Sequence, residues 1–276
     1  MEKRSWHSDF ADLEQVAFEF GIPIMRVSDV NTEPTLELLR RLAPDVLLVV
    51  GWSRICGREF RNSAKIGALG FHPTLLPNMR GRSALAWTIL LELETSGGTL
   101  FWLDDGVDSG DIAAQRSFQL PPGSTLEELI DRQRETLSRM IPPLFEQLAG
   151  GEVPGEPQDE KNATYAAARR PEDGEIVWAH SSYEIERLIR AVSRPYPGAF
   201  TYLKGRKLVV WSAKVVKRSD WFAQTGQMFA EEDGFPIVRC GEGTDLMLIE
   251  YSFDEDSGRP RPALSISGQP KLGRVT

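Results

Sequence analysis

The run Val46-Leu-Leu-Val-Val50 constrains the fold of this chain more than any other stretch. Five apolar residues between Asp45 and Gly51 are too short a run to span a membrane. They also lack the in-out alternation of a half-wet strand, so they read as a strand buried on both faces. A second run of this kind covers Ile66 to Phe71, and further strand patterns fall at Ile22 to Val27, Thr99 to Leu103 and Ile112 to Phe118. Between them lie helical patterns. Phe10, Leu13, Val16, Ala17 and Phe20 repeat at helical spacing after Ser8, a suitable N-cap, and stop at Gly21. Thr35 to Leu42 stops before Pro44, Ser83 to about Glu94 follows a proline loop, and Thr125 to Ala149 has a cap with acidic residues in its first turn. Strands alternating with helices predict an α/β fold with a mostly parallel sheet.

The pattern changes after residue 150. Residues 151–161 are rich in Gly, Pro, Glu and Gln and are expected to form a linker between a first domain, 1–150, and a second, 162–276. The second domain has one clear helix, opened by the capping-box pattern Ser181-x-x-Glu184 and running to about Val192. Short β-type runs follow at Ala199 to Leu203, Lys207 to Trp211, Pro236 to Cys240 and Leu246 to Tyr251, predicting a small β-rich domain, a partly open barrel.

Charge is divided unevenly. Residues 1–160 carry 15 Lys+Arg against 25 Asp+Glu, whereas the remainder carries 17 against 15. A protein that neutralises many phosphates shows a basic face. Here there is a single local cluster, Lys204, Arg206, Lys207, Lys214, Lys217 and Arg218, which reads first as a solvated surface. The first residues lack the apolar core of a secretory signal. Two cysteines, Cys56 and Cys240, form neither a disulfide framework nor a zinc site, and reduced core thiols are expected. These features together predict a cytoplasmic protein.

The chemistry-bearing stretch is Gly70-Phe-His-Pro-Thr-Leu-Leu-Pro77, followed by Arg80-Gly81-Arg82 and by Asp104-Asp-Gly-Val-Asp-Ser-Gly-Asp111. It puts His72 just past a buried strand and a second, acidic loop at the same end of the sheet, where ligands of open α/β sheets bind. An imidazole moves a proton near neutral pH, and a carboxylate holds its tautomer. Gly51 to Gly57 lacks the Gly-x-Gly-x-x-Gly spacing of a dinucleotide fingerprint.

His72-Pro-Thr-Leu-Leu-Pro77 with Arg80-Gly81, Glu94-Thr95 leading into Thr99, Asp104 to Asp111, Arg170-Pro-Glu-Asp-Gly-Glu-Ile-Val-Trp178 and Leu188 to Phe200 occur in a familiar order. From about Ser8 to Val216 the chain resembles the two-domain branch of the formyltransferase family that uses 10-formyltetrahydrofolate. That branch includes enzymes acting on methionyl-tRNA and on nucleotide-linked amino sugars. Gly51-Trp-Ser-Arg54, Gly70-Phe-His-Pro and Arg80-Gly-Arg look most like the sugar group.

The resemblance implies a Rossmann-like catalytic domain with a small OB-like partner. It implies His72 beside the formyl group and the attacking amine, and Asp108 orienting it and accepting or relaying the proton. The family carries an asparagine two residues before the histidine to stabilise the formyl oxygen; this chain has Gly70, and Asn78 is the substitute by residue type. The folate is expected along Trp52, Ser53, Arg54 and Ile55, the loop Pro77 to Gly81 with Arg80, and the loop Asp104, Asp105, Gly106 and Val107, read largely by main-chain groups. No metal is implied. The first βα unit of the family is expected to be absent, which would bare a strand edge. The implied reaction is formyl transfer to the primary amine of a nucleotide-linked amino sugar. The alternatives are methionyl-tRNA as acceptor and a degenerate folate binder. No membrane partner is expected, and a homodimer is left open.

Overall fold

A computed structural model describes residues 13–52, 54–217, 220–254, 264 and 267–274. The first domain contains α1 (Glu14–Glu19), α2 (Glu33–Leu42), β1 (Val46–Val49), α3 (Arg58–Arg61), β2 (Gly67–His72), β3 (Arg80–Gly81), α4 (Ala84–Leu90), β4 (Thr95–Trp102), β5 (Ile112–Gln119) and α5 (Leu126–Ala149). After β6 (Tyr165–Ala166) come α6 (Ser182–Val192), β7 (Ala199–Leu203), β8 (Arg206–Val216), β9 (Met228–Glu232), β10 (Phe235–Arg239) and β11 (Asp245–Phe253).

The first sheet has the order β1-β2-β4-β5. Strand β1 runs parallel to β2, whereas β2/β4 and β4/β5 pair antiparallel, so the α/β sheet is mixed and its parallel character is confined to one edge. Leu69 and Leu100 are fully buried and pack with Met140, Leu144 and Leu148 of α5. Each such leucine contributes about 1.5–3 kcal/mol through removal from water. The long helix α5 begins as its sequence dictates: Thr125 accepts from the Glu128 amide, and the Glu128 carboxylate accepts from the Thr125 amide.

Expectations at the N-terminal side need correction. Helix α1 has six residues, and Ser8 and Phe10 lie outside the described residues. Ile22 to Val27 forms no strand and joins no ladder among the described residues, and Ile22, Ile24 and Met25 stay exposed because no described strand lies beside them. Strand β1, expected to be buried on both faces, has no fully buried residue: its outer edge is unpaired among the described residues, and Leu48 and Val50 are exposed.

The stretch expected to be a linker is a strap packed on the first domain. Glu156 bridges to Ile112, the Trp102 indole donates to the Pro154 carbonyl at 2.7 Å, and β6 pairs in parallel with β3. Gly and Pro there serve close packing: a Cβ at Gly155 would already touch Asp111. The second domain is an open antiparallel sheet, β7-β8-β11-β10-β9, against which α6 buries Ile185 and Ile189. Strand β9 and the short β3, β6 and α3 escape the sequence patterns; each is five residues or fewer. Cys56 and Cys240 are both free and buried, as expected, and burial pushes the Cys240 thiol up to about 12. Among the described residues, no helix is long and apolar enough to cross a membrane.

Candidate active site

His72 is the last residue of β2, and its side chain is 7% exposed. Its Nε2 lies 2.8 Å from the Met79 carbonyl oxygen. A carbonyl only accepts, so Nε2 carries the hydrogen and Nδ1 is the nitrogen turned to Asp108. The Nδ1–Oδ2 separation is 3.5 Å. Burial holds the imidazole below its usual titration range, against the opposing pull of the Asp108 carboxylate and the Met79 carbonyl. At neutral pH the ring is therefore neutral, with a free lone pair facing a carboxylate.

Asp108 stands closer to solvent, 23% exposed, at φ +52°. Its Oδ2 also accepts from the Gly81 amide at 2.8 Å. Gly81 is required where it sits: its φ is +106°, and a Cβ there would lie 2.7 Å from the Ala166 carbonyl oxygen. Gly110 permits the acidic loop to close, because a Cβ would collide with the Trp102 carbonyl at 1.7 Å. The two loops thus meet as the sequence predicts, with His72 deep and Asp108 at the rim.

The proline loop is braced throughout. The Gln133 carboxamide donates to the Pro73 carbonyl, and the Thr99 hydroxyl donates to Thr74 and accepts from the Leu76 amide. Gln115 donates to the Leu76 carbonyl. The Pro77 carbonyl accepts from the Thr164 amide, and the Met79 amide donates to the Thr164 hydroxyl. The main-chain groups expected to read a ligand along Pro77 to Gly81 are in large part occupied by the protein itself. Arg80 is correspondingly internal, 1% exposed, donating to Gln158, Glu160 and the Tyr165 hydroxyl. Its guanidinium braces the strap.

Asn78 is exposed, and its main chain is fixed by Leu75 and Thr74. Gly70 faces Leu103 and Phe101, and a Cβ built on it would approach Leu103 to 2.7 Å. The space that an asparagine would need at that position is filled by side chains.

In the remaining segments, Trp52 is half-buried with its indole N–H buried and unpartnered among the described residues, and it packs near Cys56 and Phe60. Arg54 pairs with Asp29 at 3.1 Å, Ile55 is 83% exposed, and Ser53 lies outside the described residues. Asp104 accepts from the Gly106 amide and the Ser109 hydroxyl. Asp105 is gripped by Arg58 and Arg61 of α3, which hold its carboxyl below the usual carboxylate range. Val107 is exposed. The signal that sequence reading lacked was Gln158, which donates to the carbonyls of Asp108 and Gly110 at 2.9 and 2.7 Å. A cavity of about 480 Å³ lined by Pro121 to Ser124, Glu128, Asp131, Arg132 and Glu135 shares no residue with the site. Among the described residues, no His, Cys, Asp and Glu cluster is fit to hold a metal ion.

Comparison with known proteins agrees with the two-domain architecture. Residues 12–144 match the model described as formyl transferase, and residues 169–257 match the formyl transferase C-terminal domain. A methionyl-tRNA formyltransferase of Agathobacter rectalis is 29% identical over 244 residues, covering 88% of this chain and 78% of that protein. HypX from Aquifex aeolicus, solved in complex with tetrahydrofolic acid, superposes with a TM-score of 0.64 at 18% identity, over 80% of this chain. The match spans about two fifths of HypX, 38% of that chain. An N-formyltransferase from Helicobacter canadensis, in complex with folinic acid and dTDP-3-aminofucose, gives a TM-score of 0.60 at 16% identity, covering 89% and 86% of the two chains. The motifs, the paired domain models and the two-domain architecture lead to one assignment: the chain belongs to the formyltransferase family and is a formyltransferase.

Proposed function

We propose that this enzyme transfers the formyl group of 10-formyltetrahydrofolate to the primary amine of a nucleotide-linked amino sugar. The observation that carries the chemistry is the pairing of a buried, neutral imidazole with a rim carboxylate that receives the Gly81 amide. In the reaction a bond forms between the amine nitrogen and the formyl carbon, the bond from that carbon to the donor nitrogen breaks, and the proton lost by the amine ends on the departing nitrogen. Asp108 is placed to take the amine proton, since it is the more exposed of the two groups. The His72 Nδ1 lone pair stands behind it as the second proton acceptor. Asn78, with an exposed carboxamide on a fixed backbone, is the proposed donor to the formyl oxygen.

The folate reading rests on the relatives solved with tetrahydrofolic and folinic acid. Trp52, Arg54 and Ile55 with Asp104 to Val107 form its proposed walls, with Pro77 to Gly81 as a rigid floor. The sugar reading rests on charge. Within the basic cluster of the second domain, Lys207 pairs with Asp254 and Arg206 lies over the Phe253 ring, while nearby Arg194 pairs with Glu250. With 17 Lys+Arg against 15 Asp+Glu over residues 161–276, the second domain suits a small acceptor better than a polyanion. The relative from Agathobacter rectalis favours methionyl-tRNA as the second reading. Incubation with 10-formyltetrahydrofolate and either a nucleotide-linked amino sugar or methionyl-tRNA, read by mass spectrometry, separates them. Mass gain of one formyl group on the sugar supports the proposal; gain on methionyl-tRNA alone overturns the acceptor; gain on neither overturns both.

A further inference from the structure

Asp108 occupies the left-handed region, which aspartate tolerates without favouring. What holds it there comes from outside its own loop. Gln158, in the strap, uses both N–H bonds of its carboxamide, one on the Asp108 carbonyl and one on the Gly110 carbonyl. Its carbonyl oxygen accepts from Arg80 Nε and Nη2, at 3.1 and 2.8 Å. Arg80 is followed by Gly81, whose amide donates to the Asp108 carboxylate. The contacts close a ring: the Asp108 main chain to Gln158, Gln158 to Arg80, Arg80 through the chain to Gly81, and Gly81 to the Asp108 side chain. Within it, backbone and carboxylate of one residue are fixed from opposite sides.

We infer that Gln158 is a positioning residue for formyl transfer: it fixes the main chain from Asp108 to Gly110 and so sets the Asp108 carboxylate against His72. The inference rests on the reading of Asp108 as proton acceptor. The requirement on residue type is strict. The group must donate twice in one direction and accept in the other, which a carboxamide does and a carboxylate does not. The reach must span from the strap to both loops, which asparagine, one methylene shorter, does not match. Outer partners of this kind act through the group they orient.

Two variants test it. Gln158→Glu retains an acceptor for Arg80 but turns its other oxygen toward the two carbonyls, whereas Gln158→Met keeps the length and removes both functions. The first readout is deuterium exchange at the Gly81 amide, whose acceptor is Asp108 itself. The second is kcat against KM with a pH profile, using 10-formyltetrahydrofolate and the acceptor that the wild-type enzyme formylates. Both variants are expected to exchange Gly81 about tenfold faster or more, since a bond to a charged acceptor is loosened. They are expected to lower kcat about 10–100-fold, to leave KM for the donor within about threefold, and to displace the low-pH limb of kcat. A strap with a structural role alone would lower the melting temperature and leave kcat and its pH profile at wild-type values. That outcome, or unchanged Gly81 exchange, overturns the inference. Asp108→Ala supplies the reference for full loss of the Gly81 acceptor. Should the wild-type enzyme turn over neither acceptor, the functional reading falls, and the exchange comparison alone decides whether Gln158 places Asp108.

Discussion

The two loops that meet at the site are held in opposite ways. Residues 73–81 are braced by their own main chain and by side chains beneath them, with His72, Gln115, Gln133, Thr99 and Thr164 each satisfying a backbone group. Residues 104–111 are held from outside, by Arg58 and Arg61 on Asp105, by the Gly81 amide and Gln158 on Asp108, by Gln158 on Gly110 and by the Trp102 amide on Asp111. The first loop is a wall with few groups left to offer a ligand. The second keeps the Asp108 carboxylate partly exposed. In the proposed mechanism one strand end supplies geometry, and the other supplies the group that meets substrate.

The largest effect that separates the loops is catalytic. Replacing Asp108 or His72 by alanine is expected to lower kcat by about 10²–10⁴-fold, the range of a lost acid–base group, with the circular dichroism spectrum unchanged. Steady-state formylation of the accepted amine measures it. Full activity in either variant would break the assignment of roles.

Next comes the wall. Arg80→Ala removes a buried side chain bonded to Gln158, Glu160 and Tyr165. A cost on the order of 3 kcal/mol in urea unfolding is expected, from the lost hydrogen bonds together with the cavity. A variant that binds donor poorly at full stability would instead make Arg80 a ligand contact.

Gly70→Asn sharpens the same contrast. It introduces the residue type that the family carries there, yet the site is filled by Leu103 and Phe101. The expectation is a loss of about 1–3 kcal/mol from overpacking and no gain in kcat. Raised activity would show that the strand end is more adaptable than its packing implies.

The smallest effect is in pH. Burial depresses the His72 titration in the folded state. The unfolded chain therefore binds this proton more readily, and stability is retained above the ordinary imidazole value of about 6.5 and declines as pH falls below it. Melting temperature against pH is expected to show this decline, reduced in His72→Gln.

Much of this was legible in the sequence. The apolar runs at β1 and β2, the capped helices α5 and α6, and β7 follow from local patterns, since their caps and periods are written in adjacent residues. So was the convergence of His72 and Asp108. Ile22 to Val27 has the pattern of a strand without the neighbour that a strand requires, and pattern alone does not supply one. The strap was missed because its Gly, Pro and Gln composition is that of a linker, while its contacts lie far off in sequence: Gln158 reaches Arg80 across 78 positions. For the same reason Arg80 looked like a ligand group on a loop. Local chemistry reveals a guanidinium; only the fold reveals that its partners are internal.

The most direct test of the account is formylation of a nucleotide-linked amino sugar by the wild-type enzyme beside Asp108→Asn, a near-isosteric change that removes the carboxylate. Product from wild type, with turnover by the variant reduced about 100-fold or more at unchanged folate affinity, is the predicted result. Equal turnover by the two proteins would contradict Asp108 as the proton acceptor, and with it the mechanism proposed for this site.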